Sequence, residues 1–197
     1  LVTCHAAAIA SDAGGVLLCG GSGAGKSTTT LAALADGLRS AGDDYVLVEP
    51  GSPPVVHALY TSTLLEEGHY HRHERLMPAL DHVAEQGERR KAVMFAGGGE
   101  RPQIGGSFPL LALLALRVEP GSAPAVEPTT PAQALRALAP STLAQLGMID
   151  EAGLRRLAGL CRALPCYSLR LGDDPAPVPG LLRGLIDRLA GASVVRA

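Results

Sequence analysis

The segment from Gly20 to Ser27 has the residue types and the spacing of a phosphate-binding P-loop. It reads Gly-Gly-Ser-Gly-Ala-Gly-Lys-Ser and lies between an apolar, strand-like run and a helix-like run, which is the context that such a loop requires. Its glycines let successive backbone N–H groups point at one centre, where the positive end of the following helix also attracts a triphosphate. We therefore predict that this segment binds phosphate. The predicted contacts are Gly20, Gly21, Ser22, Gly23, Ala24, Gly25, Lys26, Ser27 and Thr28.

Two side chains of this segment have separate predicted roles. Lys26 is placed to reach the outer phosphates, and Ser27 offers a hydroxyl to Mg²⁺. The alternative is a glycine-rich turn between a strand and a helix that binds nothing. Under this alternative, the four fixed positions of the P-loop pattern would match by chance in a chain that is poor in lysine. We therefore favour phosphate binding.

Two adjacent carboxylates precede the next strand-like run. Asp43 and Asp44 follow Lys26 by 17 and 18 positions. One carboxylate can accept the proton of an attacking hydroxyl while its neighbour holds Mg²⁺, directly or through water. The alternative is a solvated turn between a helix and a strand, since Asp favours turns. Beside a P-loop we favour the catalytic interpretation.

A single histidine lies on the strand expected to pair with the P-loop strand. His5 stands 21 positions before Lys26 in an apolar run that begins Cys-His-Ala-Ala-Ala. A histidine on an apolar strand is more often a hydrogen-bonded core residue than a catalytic one. Because His5 precedes a P-loop and an Asp pair, a catalytic role is nevertheless favoured for it.

The order and the separations of His5, Lys26 and Asp43 resemble those of the catalytic domain of HPr kinase/phosphorylase and its relatives, including kinases found with lasso-peptide biosynthesis. The resemblance covers roughly the first quarter of the chain. It implies a phosphoenolpyruvate-carboxykinase-like P-loop core that uses ATP and Mg²⁺ to phosphorylate a serine hydroxyl of a protein or peptide. By this resemblance Asp43 is the general base, Asp44 assists the metal site, and His5 hydrogen-bonds the base.

The sequence departs from that family in two places. The family's Glu-Ile-Arg-Gly-Leu-Gly signature has no counterpart after the Asp-Asp strand, where this chain has Val-His-Ala-Leu-Tyr-Thr-Ser from position 56. The later arginine-bearing loop of the family has no evident counterpart either, although Arg117 is a candidate for its positive charge. Glu49 is a candidate replacement for the missing acidic metal ligand; the alternative is that it is a solvated strand end. These departures favour a precursor peptide over HPr as the acceptor. The alternatives are a nucleotide-binding regulatory or assembly module without phosphoryl transfer, and a small-molecule kinase.

The elements that must position these residues alternate imperfectly between strands and helices, which predicts one α/β domain over residues 1–197 with a mixed sheet flanked by helices. The predicted strands are Thr3–Ala10, Val16–Cys19, Tyr45–Val48, Val55–Tyr60, Leu110–Val118 and Cys166–Leu171. The predicted helices are Lys26 to about Arg39, Pro131 to about Ala139, Ser141–Leu146, Asp150–Leu164 and Pro179–Leu189. Thr130 is the predicted cap of the second helix and Ser141-Thr142 that of the third. The polar stretch 61–88 has at most a short helix, around Glu74 to Ala84.

The composition excludes several classes of partner. A net charge of −2 and an aromatic content of 3% argue against nucleic acid. The longest apolar run contains Pro109 and is too short for a bilayer, so we predict a soluble, cytoplasmic chain. We expect the four cysteines to be buried and reduced, with a Cys161–Cys166 bridge as the alternative. The histidine-rich segment 69–73 is interpreted as an exposed loop that meets substrate rather than a metal site. Leu1 suggests that an upstream segment is absent, and the sequence leaves homo-oligomerisation open.

Overall fold

The computed structural model of the protein describes residues 1–60, 62–66, 91–95, 103–147 and 150–194, and at 62–66, 91–95 and 193–194 it describes the backbone alone. The strands are β1 (Val2–Ser11), β2 (Gly14–Cys19), β3 (Arg39–Gly42), β4 (Tyr45–Glu49), β5 (Val55–Ala58), β6 (Ser62–Glu66), β7 (Lys91–Phe95), β8 (Ser107–Val118), β9 (Ala125–Pro128) and β10 (Cys166–Leu171). The helices are α1 (Lys26–Ala35), α2 (Pro131–Gln145), α3 (Glu151–Ala163) and α4 (Val178–Val194).

Two strands of the central sheet, β1 and β8, exchange partners along their length. The first half of β1 pairs antiparallel with β4, with His5 opposite Tyr45, and its second half pairs antiparallel with β2, with Ala6 opposite Cys19. β8 pairs antiparallel with β5 near its start and parallel with β2 and β10 further along. β3 pairs with β1, β9 pairs with β10, and β6 and β7 form a separate antiparallel pair. The sheet is therefore mixed, as the sequence predicts.

Helices cover both faces of this sheet because successive side chains of a strand point to opposite sides. Cys4, Ala6 and Ala8 of β1 share one buried cluster with residues of α2 and α3. Ala7 and Ile9 share a second cluster with residues of α1 and α4. The small side chains of β1 let both helical layers approach the strand closely, and the prediction of an α/β fold with a mixed, helix-flanked sheet is confirmed.

The first helix is shorter than predicted, and this changes the surroundings of the acidic pair. The sequence predicts a helix that runs to about Arg39, whereas α1 ends at Ala35 and Arg39 begins β3. Gly37, with a φ of 80°, turns the chain between these two elements. Asp43 and Asp44 consequently lie in a bend between two strands, and the alternative of a helix-to-strand turn is wrong.

The prediction of two helices around Pro140 is also wrong, because α2 continues through that residue. Its start is as predicted: Thr130 caps the helix and Pro131 is the first helical residue. Leu138 and Thr142 are both buried, so the inner face of the helix continues past the proline. Thr142 is therefore an interior residue of a helix and not a cap.

Besides β3, three strands were not predicted: β6 in the polar stretch 61–88, its partner β7, and β9 in the segment rich in proline and glycine that follows β8. β6 and β7 pair with each other and β9 pairs with β10, and single-segment patterns do not report such pairing. Strands β1, β2, β4, β8 and β10 and helices α3 and α4 lie where the sequence predicts them, with small changes in their ends. The predictions for residues 67–90, including the histidine-rich segment and the short helix, lie outside the described residues, as does the glycine-rich segment 97–102.

All four cysteines are buried and unbridged, as expected. Cys166 Sγ lies 3.3 Å from the backbone oxygen of Cys161 and donates a hydrogen bond to it, so the alternative of a Cys161–Cys166 bridge is wrong. Burial raises the pKa of Cys4 and of Cys161 to about 12, which keeps both as inert thiols. Among the described residues, none of the helices has the combination of length and apolar character that crossing a bilayer requires.

Candidate active site

The P-loop connects the end of β2 to the first turn of α1. Gly25 is the N-cap of α1 with a φ of 93°, a left-handed conformation that favours glycine. A Cβ atom at this position would also lie 2.5 Å from Leu171 Cδ1, at the end of β10. The left-handed turn therefore favours glycine at position 25, and a side chain there would also displace the end of the Leu171 side chain. Because the first N–H groups of a helix lack intrahelical acceptors, Lys26, Ser27 and Thr28 present backbone donors at this turn.

The ammonium group of Lys26 folds back over the loop that precedes it. Nζ donates hydrogen bonds to the carbonyl oxygens of Gly20 and Gly21, at 2.8 Å and 3.2 Å, and the residue is buried. Burial lowers the pKa of Lys26, and the negative charges of Asp44 and Asp43 oppose this shift. The lysine is thus a desolvated cation beside a carboxylate pair, an environment in which phosphate oxygens would form strong charge-assisted hydrogen bonds.

The P-loop and the acidic pair meet at one point of β1. β2 ends opposite Ala6, and β4 begins opposite His5, so the loop after β2 and the bend before β4 reach neighbouring positions on the same strand. Gly42 makes the bend: its φ is 146°, and a Cβ atom there would lie 3.0 Å from the carbonyl oxygen of Tyr45. Asp43 is buried, whereas the side chain of Asp44 is 40% exposed.

His5 is bound to the second carboxylate of the pair. Its Nε2 lies 2.8 Å from Asp44 Oδ1, and its ring packs at a tilt against Tyr45 with 5.5 Å between the ring centroids. The register of β1 and β4 brings the two side chains together, because it sets His5 directly opposite the residue that follows Asp44. The hydrogen bond from His5 to the base, Asp43, which the family resemblance implies, stays a prediction.

Thr142 of α2 binds the backbone of His5, whose side chain contacts Asp44. The backbone N–H of His5 donates to Thr142 Oγ1 at 3.1 Å, and the backbone N–H of Tyr45 donates to the hydroxyl of Tyr60 at 2.9 Å. Both N–H groups therefore point away from the β1–β4 ladder. His5 and Tyr45 form a non-hydrogen-bonded pair of antiparallel strands, in which the side chains lie closer together than in a hydrogen-bonded pair. Thr142 and Tyr60 are therefore positioning residues that the sequence analysis missed, because their contacts depend on distant pairing.

We expect Thr142→Val to lower the free energy of unfolding by about 1–3 kcal/mol. Valine keeps the volume of threonine but removes the acceptor, which leaves the buried N–H of His5 without a partner. Urea denaturation followed by circular dichroism measures the change, and Thr142→Ser, which retains the hydroxyl, is the matched control. If the free energy of unfolding fell equally in both variants, the effect would be due to packing rather than to the hydrogen bond.

The residues predicted to carry chemistry line one cleft of about 420 Å³, a volume within the range of about 300–1,000 Å³ typical of small-molecule sites. His5, Asp43, Asp44 and the P-loop from Gly21 to Thr28 all contribute to its walls. Gly20 is not among the described residues that line the cleft, but its carbonyl oxygen accepts a hydrogen bond from Lys26.

Two other candidates from the sequence are not among the described residues that line this cleft. Glu49 is at the far end of β4 from the acidic pair, where its Oε2 lies 3.0 Å from His57 Nε2, so it is a solvated strand end. Arg117 pairs with Glu119 at 3.0 Å and with Glu127 at 3.7 Å. Its charge is thus directed toward these carboxylates.

The cleft has a second wall that the sequence analysis missed. It is formed by Val118 at the end of β8 and by the segment from Leu171 to Val178, which connects β10 to α4. A turn rich in Asp and Pro directly after a predicted strand was the available signal, since ligands of open α/β sheets bind at the carboxyl ends of strands. The sequence alone did not reveal which strand ends lie beside the P-loop.

The donor set fits Mg²⁺ held chiefly by phosphates. The hydroxyl of Ser27 and the carboxylate of Asp44 line the same cleft, and Mg²⁺ in nucleotide sites is bound by one or two protein oxygens together with phosphate oxygens and water. Within the described ranges, no group of three or more His, Cys, Asp or Glu residues forms an all-protein metal site.

Comparison with known proteins gives the fold type. A scan of the sequence against models of protein families finds no match, and a search of curated protein sequences finds no significant match. Among solved structures, the Hpr(Ser) kinase/phosphatase from Coxiella burnetii is similar, with a TM-score of 0.50 and 12% sequence identity over 96% of this chain and 99% of that chain. At this identity the similarity concerns the fold, and this chain has the mixed α/β fold of an HPr kinase.

Proposed function

We propose that the protein is an ATP-dependent kinase that transfers phosphate to a serine hydroxyl of a protein or peptide. The proposal is carried by one observation: the P-loop and the carboxylate pair line the same cleft, because β2 ends and β4 begins at neighbouring residues of β1. A phosphate-binding loop alone would suit many nucleotide-binding proteins. A buried carboxylate beside it supplies the group that hydroxyl activation requires.

The chemistry assigned to the residues follows from their positions. Asp43 accepts the proton of the acceptor hydroxyl as its oxygen bonds to the γ-phosphorus, and the bond from that phosphorus to the bridging oxygen of ADP breaks. Lys26 and the N–H groups of the P-loop stabilise the charge on the phosphate oxygens. Mg²⁺, held by Ser27 and Asp44, would neutralise part of that charge. His5 orients the Asp44 carboxylate through its Nε2 contact.

We propose a biosynthetic precursor peptide, as in the kinases associated with lasso peptides, as the acceptor rather than HPr. The support is in the sequence: the glycine-rich, acidic signature of HPr kinases is replaced by Val-His-Ala-Leu from position 56. In the structure the first three residues of this segment belong to β5, a strand that pairs with β4 on one side and with β8 on the other. A segment held in a sheet in this way lacks the form of a loop that meets a protein substrate.

The proposal is tested with ATP labelled at the γ-phosphate, Mg²⁺ and a peptide library in which each member carries one serine in varied surroundings. We expect label to enter this library and not a matched library with alanine in place of serine. Phosphoserine is then located by mass spectrometry. Binding of ATP without transfer to the serine library would contradict the kinase assignment.

That contradicting outcome would favour a second candidate, a nucleotide-dependent regulatory or assembly module. The observation in its favour is the replacement of the family's acidic signature residue after the Asp-Asp strand, noted above. Titration of Mg²⁺ with ATP bound separates the candidates further, since a kinase is expected to require Mg²⁺ for transfer and a binding module only for affinity.

A further inference from the structure

The cleft has two chemically different ends, one on either side of the P-loop. On one side are the carboxylate pair and His5, which belongs to β1, a neighbour of β2 in the sheet. On the other side are the carboxyl ends of β8 and β10. β2, β8 and β10 are parallel, and their last residues include Cys19, Val118 and Leu171, so the three strands end at the same edge of the sheet.

The second end combines apolar side chains with acidic groups. Val118 is 51% exposed although it lines the cleft, and Leu171 and Pro175 line the cleft beside it. Asp173 Oδ2 accepts the backbone N–H of Gly121 at 2.7 Å, which fixes this carboxylate at the rim. Negative charge here repels phosphate and attracts hydrogen-bond donors.

We propose that this second end binds the nucleoside of ATP, with the base lying against Val118, Leu171 and Pro175. The inference rests on the proposed function, which places the γ-phosphate beside Asp43. A triphosphate that lies along the P-loop with its outer end at Asp43 must direct its nucleoside to the opposite side, toward β8 and β10. A base has two apolar faces, and aliphatic side chains can cover them in a chain with 3% aromatic residues.

The carboxylates at the rim add a polar component to the same subsite. A ribose presents hydroxyl donors, and acidic side chains in nucleotide sites accept hydrogen bonds from them. Asp174, whose Oδ1 accepts the backbone N–H of Ala176 at 2.9 Å, is held at the cleft wall in the same turn as Asp173. The apolar wall and the acceptors together match a nucleoside better than a second phosphate or an acidic peptide.

The test compares the affinity of Mg-ATP with that of Mg-tripolyphosphate, which has the phosphates but no nucleoside. Isothermal titration calorimetry is carried out on the wild type, on Val118→Ser and on Leu154→Ser. Leu154 is the matched control because it is an apolar residue of α3 that is 42% exposed and is not among the cleft-lining residues. Thermal unfolding of both variants establishes that they are folded.

We expect Val118→Ser to weaken ATP binding by about 5- to 20-fold and to leave tripolyphosphate binding unchanged, since only the nucleoside contact is lost. Leu154→Ser should change neither affinity. An unchanged ATP affinity in Val118→Ser, or an equal loss for both ligands, would overturn the nucleoside subsite while the P-loop assignment stands. Failure of the wild type to bind either ligand would instead overturn the proposed function, and the subsite with it.

Discussion

Asp43→Asn is expected to lower the rate of phosphoryl transfer by about 10²- to 10⁴-fold, while the affinity for ATP stays close to that of the wild type. Asparagine keeps the size and shape of aspartate but cannot take a proton from the acceptor hydroxyl. Asp43 is buried at the wall of the cleft, in the bend between β3 and β4, and lies near enough to Lys26 for its charge to affect the lysine pKa. Single-turnover transfer with bound ATP isolates the chemical step from nucleotide binding.

The control for this substitution is Asp12→Asn, the same chemical change on a side chain that is 86% exposed in the β1–β2 turn. It should leave transfer unchanged. Asp44→Asn provides the contrast between the two acids, because loss of a metal-holding carboxylate should raise the Mg²⁺ concentration needed for transfer. Near-normal transfer by Asp43→Asn, with a severe loss in Asp44→Asn that excess Mg²⁺ does not relieve, would move the role of base to Asp44.

Lys26→Ala is expected to weaken the binding of ATP and of tripolyphosphate by about 100-fold. The ammonium group is the buried cation of the P-loop, and its two present acceptors are backbone carbonyls of the loop. In the bound state we expect phosphate oxygens to be its acceptors, so the substitution removes charge-assisted hydrogen bonds that water cannot replace. Both affinities are measured by isothermal titration calorimetry at constant Mg²⁺.

Arg155→Ala serves as the control for the change in net charge. Arg155 is a largely exposed residue of α3, paired with Glu151 one turn away, and such surface pairs contribute little. If Lys26→Ala bound tripolyphosphate as tightly as the wild type does, the loop would not be the phosphate site. A loss of ATP binding alone, with tripolyphosphate affinity retained, would place the phosphates elsewhere in the cleft.

The part of the site that could be predicted from the sequence is the part that depends on short-range chemistry. The P-loop is predicted because strand, turn and helix follow one another within a few residues. The placement of Asp43 and Asp44 depends on their position just before a strand. Their meeting with His5 depends on the register of β1 and β4, which spacing alone could not provide. The resemblance to HPr kinases implied only that His5 hydrogen-bonds the base.

The remainder depends on long-range pairing, which leaves little trace in a single sequence. Leu171 contacts the P-loop at Gly25, a residue almost 150 positions earlier, because β8 lies between β2 and β10. Thr142 was interpreted as a helix cap because its hydroxyl suits that position locally. Its buried partner, the backbone of His5, becomes visible only when α2 is packed against β1.

The exchange of partners by β1 and β8 also determines how the phosphate-binding loop is anchored. β1, β2, β8, β5 and β4 pair in sequence and return to β1, so that these five strands form a closed circuit of hydrogen bonds. β2, all of whose residues are buried, has a neighbour on each side within that circuit. The opening free energies of such core strands approach that of global unfolding. We therefore expect the start of the loop to be held in place before ATP binds, so that less of the binding energy is needed to order its backbone donors.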